Sequence, residues 1–361
     1  MAKLIKLFDP AVDSSEKNAL VKVFDSKFWA SGSGSGHVKK FENEFKNYIK
    51  SNACVAVNSG TAALNLAFSL LDIKNKEVIL PSMSFVSTAH CIIENGGIPI
   101  FVDIKSDTLC IDPDKIKDAI SKKTVAILPV HFGGMPCDLK KIRLIAKSHN
   151  LHIVEDAAHA VGTEFAGKKI GSHGTIVCFS FHPVKNLALP TGGMIAINDK
   201  RHKKFSNLLF SRRWCGITNR KDTDYDVNEL GWNYYMNEFA AAVGLEQLKK
   251  LDSLNKIRKK IAKKYNTEIN TNLKMPFDEN CSYHLYWILV KNRQKFRKKL
   301  AYNGIETGTH YKPIHLMKMY TNSNRLDITE RIGRQIVTIP IHPNLKPFEI
   351  NKIIKIINQS L

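Results

Sequence analysis

The chain has 361 residues, 43% of them hydrophobic and 24% charged, which excludes disorder as the main state and is ordinary for a globular protein. The length suits one large domain with a smaller companion, or two domains of ordinary size. Lys and Arg total 54 against 33 Asp and Glu, a formal net charge of +21; the basic residues lie scattered in short runs such as Arg258-Lys259-Lys260, with no recognised nucleic-acid module, so they read as a lysine-rich solvated surface or as attraction for an anionic small substrate.

In chain order, a helix is predicted over 15–25, capped by Ser14 or Ser15, with Leu20, Val21, Val23 and Phe24 on its apolar side. Ser31-Gly32-Ser33-Gly34-Ser35-Gly36 follows. No strand precedes it and its spacing fails G-x-G-x-x-G, so it reads as a flexible loop whose N–H groups can meet a phosphate. Helix is predicted over 38–50, 61–71, 85–95 and 139–148, and strand over 53–58, 77–80, 99–103, 125–130 and 152–155. Strands over 176–181 and 194–197 are close enough to form a hairpin-like pair. This rhythm predicts an α/β fold with a mainly parallel sheet and helices on both faces. Beyond it come a long helix over 239–265, a strand over 283–290, a helix over 294–302, a strand over 338–341 and a helix over 347–361. The expected division is a large domain over 1–245 and a smaller α+β domain over 246–361.

Seven cysteines, an odd number without a C-x-x-C pair, argue against a disulfide framework or a zinc site and for a reducing cytoplasm. The first ten residues hold no apolar stretch of signal-peptide length, and no apolar run reaches roughly 18 residues, so neither a signal peptide nor a transmembrane helix is expected.

Four motifs lie where a strand ends or a helix begins, the places where open α/β sheets bind ligands. Asn58-Ser59-Gly60-Thr61-Ala62-Ala63-Leu64 joins small residues to a helix start, which is a phosphate cradle or simply a cap. In Pro81-Ser82-Met83-Ser84-Phe85-Val86-Ser87-Thr88, Phe85 is either a stacking ring or core. In Val154-Glu155-Asp156-Ala157-Ala158-His159-Ala160, the Asp156 carboxylate among small residues needs a cation or donor, such as a protonated pyridine nitrogen, or else caps a helix. In Cys178-Phe179-Ser180-Phe181-His182-Pro183-Val184-Lys185, a lysine after a buried strand is a Schiff-base candidate, since desolvation makes its amine nucleophilic. Ser180, five residues earlier, is in reach of a phosphate. Together they form the parts list for pyridoxal phosphate, with Asp156 preceding Lys185 by 29 residues.

On these motifs the chain resembles the DegT/DnrJ/EryC1/StrS sugar aminotransferases, a branch of the fold-type I pyridoxal-phosphate enzymes. The resemblance extends through Gly231-Trp232-Asn233-Tyr234-Tyr235-Met236-Asn237-Glu238 to His310-Tyr311-Lys312-Pro313-Ile314-His315. It implies that Lys185 carries the cofactor, Asp156 pairs with the ring nitrogen, Phe85 stacks on the ring and His159 neighbours the ring hydroxyl. It implies further that Gly60, Thr61, Ala62 and Ser180 hold the phosphate. Asn233 reaches the phosphate of the partner subunit, so a homodimer with a shared active site follows from the resemblance. His182, His310, Tyr311 and Lys312 are placed on the substrate side, and no metal is expected. The implied reaction carries an amino group from L-glutamate, through the pyridoxamine form of the cofactor, to a keto group of a nucleotide-linked sugar. The His310-Tyr311-Lys312-Pro313 motif leans toward carbon 4.

Two departures bear on the substrate. Leu189-Pro190-Thr191-Gly192-Gly193 stands where members often read T-G-E-G-G, and Asn233-Tyr234-Tyr235-Met236 where many read N-Y-R-M. Two other readings stand beside the main one. Dehydratases of the same fold carry His in place of the lysine, which Lys185 disfavours. A DNA-binding regulator would fit the charge, but no helix-turn-helix or basic arm accompanies it. Neither nucleic acid nor a membrane is expected as a partner.

Overall fold

The computed structural model describes residues 4–320 and 324–361; residues 1–3 of the N-terminal segment lie outside them. Helix α1 (Ser14–Ser26) is capped by Asp13, not by Ser14 or Ser15. Asp13 accepts from Ser15 N–H at 2.7 Å, and Glu16 reaches back to Asp13 N–H at 2.9 Å, a reciprocal box that a serine one residue later does not complete. Helix α2 (Gly36–Ile49) is capped from a distance. Its N-cap Ser35 makes no capping bond, its hydroxyl donating to Ser31 Oγ at 3.2 Å, and Glu238 accepts from His37 N–H at 2.6 Å instead. The 31–36 stretch before it packs on Arg213 and Trp214, where a Cβ on Gly32 or Gly34 would collide.

The alternating region follows: β1 (Ala53–Val57), α3 (Gly60–Ser69), β2 (Glu77–Pro81), α4 (Ser87–Glu94), β3 (Ile98–Val102), α5 (Pro113–Ala119), β4 (Thr124–Ile127), α6 (Leu139–Ser148) and β5 (His152–Asp156). A two-residue ladder, β6 (Glu164–Phe165) with β7 (Lys168–Lys169), precedes β8 (Ile176–Ser180) and β9 (Gly193–Ile197). Seven of these strands form one sheet in the order β1-β9-β8-β5-β4-β2-β3. Strands β8, β5, β4, β2 and β3 pair in parallel, whereas β9 is antiparallel to both β8 and β1 and alone runs the other way. The hairpin-like pair expected around 176–197 is this β8–β9 ladder. Alternate residues feed two apolar layers: Val55 and Val57 of β1 join one core cluster, Cys54 and Ala56 the other.

Helix α7 (His202–Arg212) and the exposed hairpin β10 (Ile217–Lys221) with β11 (Asp224–Val227) come next, then α8 (Glu238–Glu268). That 31-residue helix runs uninterrupted through position 245. After it, β12 (Tyr286–Leu289) pairs antiparallel with β13 (Ile336–Ile339), accompanied by α9 (Arg293–Tyr302), α10 (Asp327–Gln335) and α11 (Pro347–Asn358). Helices α5, α7 and α10 and the β10–β11 hairpin have no counterpart in the sequence reading. Helix α5 has only seven residues and the hairpin strands are largely exposed and polar, so hydrophobic periodicity is faint there; α10 is amphipathic but only nine residues long. Among the described residues no helix is long and apolar enough to cross a membrane.

Candidate active site

The carboxyl ends of β1, β2, β5 and β8 open on one cavity of about 340 Å³. The apolar strands that form the sheet also fix where polar groups can emerge, because each of these strands is buried through its carboxyl end and the residues that follow meet the cavity.

Asp156 ends β5 and is 4% exposed. Its Oδ2 accepts from Thr88 Oγ1 at 2.9 Å and its Oδ1 from Ala158 N–H at 3.1 Å. Because Thr88 gives its proton to Asp156, Ser84 Oγ must donate to Thr88 across their 2.7 Å contact. Burial raises the Asp156 pKa, and the two donors and Lys185 oppose that rise. Lys185 lies beyond the end of β8, and its pKa falls to about 8 because burial disfavours the ammonium more than Asp156 favours it. The cavity therefore joins an amine that is readily deprotonated to a carboxylate that needs a cation.

The start of α3 forms the opposite wall. Ser59 caps it by accepting from Ala62 N–H at 3.1 Å. Gly60 lies so close to β8 that a Cβ there would stand 2.6 Å from Ser180 Cβ. First-turn N–H groups and the Ser180 hydroxyl thus meet at a concave corner suited to an anion. Helix α4 begins only at Ser87, leaving Phe85 in the preceding loop, 55% exposed at the cavity; it is not core.

His159 is held by a backbone donor. Gly133 N–H gives to Nδ1 at 3.2 Å, so the proton of the neutral ring sits on Nε2, 3.1 Å from Tyr311 Oη. Burial and the nearby Lys185 and His310 hold its pKa well below the usual histidine value. His310 bonds Thr338 Oγ1 at 2.8 Å, and burial lowers its pKa to about 4. Tyr311 keeps its proton, its pKa raised by burial and by Asp156.

Of the residues singled out by sequence, Gly60, Thr61, Phe85, Asp156, His159, Ser180, His182, Lys185, His310 and Tyr311 line this cavity. Ala62, Asn233 and Lys312 do not. Ala62 is buried with its N–H committed to Ser59. Asn233 and Lys312 have exposed side chains, and the Asn233 carbonyl accepts from Asn58 Nδ2 at 3.2 Å. The 31–36 stretch does not line it either. Sequence reasoning quoted Thr88 only as part of its motif and missed His284, which approaches Lys185 Nζ to 3.5 Å. His284 sits among apolar residues and reads as core from its neighbours.

The DegT/DnrJ/EryC1/StrS aminotransferase family model matches residues 10–358. The chain belongs to this family. This aminotransferase is 32% identical to the GDP-perosamine synthase of Escherichia coli O157:H7 over 99% of its own length and 98% of that relative's. Its fold is similar to that of Helicobacter pylori PseC, an aminotransferase involved in the biosynthesis of pseudoaminic acid, with a TM-score of 0.92, 27% identity and 99% of each chain covered. It is equally similar to S. venezuelae DesV, at a TM-score of 0.92 and 30% identity, covering 99% of this aminotransferase and 98% of that chain. The family is one of pyridoxal-phosphate-dependent enzymes, and the seven-stranded, mostly parallel sheet of this aminotransferase is the fold its relatives share.

Proposed function

We propose that the cavity binds pyridoxal phosphate and moves an amino group from L-glutamate to the keto carbon, carbon 4, of a nucleotide-linked sugar. The observation that carries this reading is the meeting in one cavity of Asp156, at the end of β5, and Lys185, in the segment that follows β8. The residues fit the cofactor. The Asp156 carboxylate suits a pyridinium nitrogen, and the Gly60–Ser180 corner, which a Cβ would fill, suits a phosphate. Ala62 contributes through the helix turn, its own N–H being taken. Exposed Phe85 offers a face to the ring, and His159, its Nε2–H resting on Tyr311 Oη, is the side chain proposed to neighbour the ring hydroxyl.

When bound, pyridoxal phosphate supplies an electron-withdrawing ring and a carbonyl carbon for amines. Lys185 then takes and returns the proton at the substrate carbon, a task that suits an amine titrating near neutrality. Asp156 keeps the ring nitrogen protonated. His182, His310 and Tyr311 face the sugar nucleotide from the cavity wall, Lys312 does so from its exposed place outside the cavity, and Asn233, exposed on its own chain, serves the phosphate of a second subunit in a homodimer.

The test is a panel of GDP-, UDP- and dTDP-linked 3-keto and 4-keto sugars with glutamate, read by mass spectrometry. A 4-keto member is expected to gain an amine, and Lys185→Ala to lower the rate by about 100- to 10,000-fold. No amine on any member would overturn the substrate class.

A further inference from the structure

We propose that His284 is a positioning residue for Lys185, its Nε2 accepting a hydrogen bond from the lysine ammonium and so fixing where the released amine rests. The inference rests on the reading of Lys185 as the reactive amine. Its geometry is built by three segments. His284 Nε2 lies 3.5 Å from Lys185 Nζ. The Phe8 ring stacks on the imidazole at 5.7 Å and 16°, and the His159 ring packs against it at 4.5 Å.

The backbone that presents His284 is clamped to both neighbours. Ser282 C=O accepts from Asn186 Nδ2 at 2.8 Å, beside Lys185. Ser282 Oγ donates to His159 C=O at 3.3 Å, and Leu285 N–H to Gly133 C=O at 3.2 Å. Between these anchors Tyr283 takes a φ of 49°, a left-handed conformation that a bulky residue adopts at a cost and that collects at functional sites. The strained link turns His284 onto the lysine.

The direction of the bond follows from charge. An ammonium only donates, so Nε2 must accept and the ring proton sits on Nδ1. Burial holds His284 neutral, its pKa well below the usual value, as do the neighbouring cations Lys185 and Arg258. Around the pair stand Asp156, His159, His182, His310, Arg258 and His342. Asp9, paired with Lys6 at 3.1 Å, lies at the edge of the small cavity beside His284. Of these only Asp156 adds to the hold on the ammonium by charge; His284 adds a lone pair.

The experiment titrates Lys185 in the full chain prepared without pyridoxal phosphate, from the pH dependence of its reaction with a small acylating reagent read at the Lys185 peptide. His284→Phe is expected to lower the midpoint by about one pH unit, a tenfold change in the amine-to-ammonium ratio. His284→Gln, whose amide oxygen accepts, is expected to restore it. An unchanged midpoint in His284→Phe, or equal shifts in both variants, overturns the proposal. If His284→Phe does not fold, nitrogen-15 histidine spectra of the wild-type chain decide. A bare Nε2 supports the proposal, and a proton on Nε2 overturns it. Both measurements read the chain without cofactor, so they stand apart from cofactor binding, which wild-type visible absorbance reports.

Discussion

At the scale of single residues, the site depends on two ionisable groups whose environments shift them in opposite senses. Burial lowers the Lys185 pKa to about 8 and raises that of Asp156. The donated hydrogens of Thr88 and Ala158 keep Asp156 from rising further. Thr88→Val removes one of them while nearly keeping shape. A hydrogen bond to a charged group contributes about 1.5–3 kcal/mol, so retention of pyridoxal phosphate is expected to weaken by about 10- to 100-fold. The sign of the pH effect follows. With its donor gone Asp156 titrates higher, so the defect grows as pH falls, and absorbance-monitored cofactor release across pH checks it. The motif around Asp156 and Lys185 is legible in the sequence because Asp156 ends one apolar strand and Lys185 lies in the short segment after another. Thr88 acts through a contact with a residue 68 positions away, and His284 through one 99 positions away, distances at which local pattern is silent.

At the scale of elements, what matters is where helices begin. Helix α3 starts against β8, and only glycine at position 60 leaves the corner open. Gly60→Ala would place Cβ 3.2 Å from the Ser180 Cα as well, so backbone rather than a flexible tip must move. Overpacking of this kind costs about 1–3 kcal/mol. A fall in melting temperature, with cofactor affinity reduced about tenfold or more, is the expected result by calorimetry and absorbance titration. Helix α4 starts late, and that frees Phe85. Sequence places both helices correctly but misses their first residues, since helix ends depend on which neighbour satisfies the first N–H groups. Asp13 and Glu238 show this: one cap is local, the other comes from a segment 201 residues away.

At the scale of the whole molecule, distant segments are tied together by buried charge. Arg213, fully buried, donates to Glu42 at 2.6 Å and to Ala56 C=O at 2.8 Å, joining the end of α7 to α2 and β1. That joint leads into the segment carrying Asn233, which faces outward. In the proposed homodimer Asn233 completes the partner's site. Mixing inactive Lys185→Ala and Asn233→Ala proteins is then expected to regenerate hybrid dimers with one intact site, up to about half the wild-type activity per hybrid. Assay of the mixture after subunit exchange checks this, and no gain over the parents would reject the shared site.

The net charge of +21 and the order of apolar runs are properties of the sequence, and by themselves they yield an α/β chain with a lysine-rich surface. The sequence also singles out Lys185 and Asp156 as the proposed amine and carboxylate, because small and polar residues that follow a buried strand stand out from it. Only the tertiary structure decides that Phe85 is exposed, that Ala62 has no free donor, and that His284 meets Lys185. Those outcomes depend on which segments pack together, and packing is set by the summed contacts of the whole chain rather than by any local run of residues.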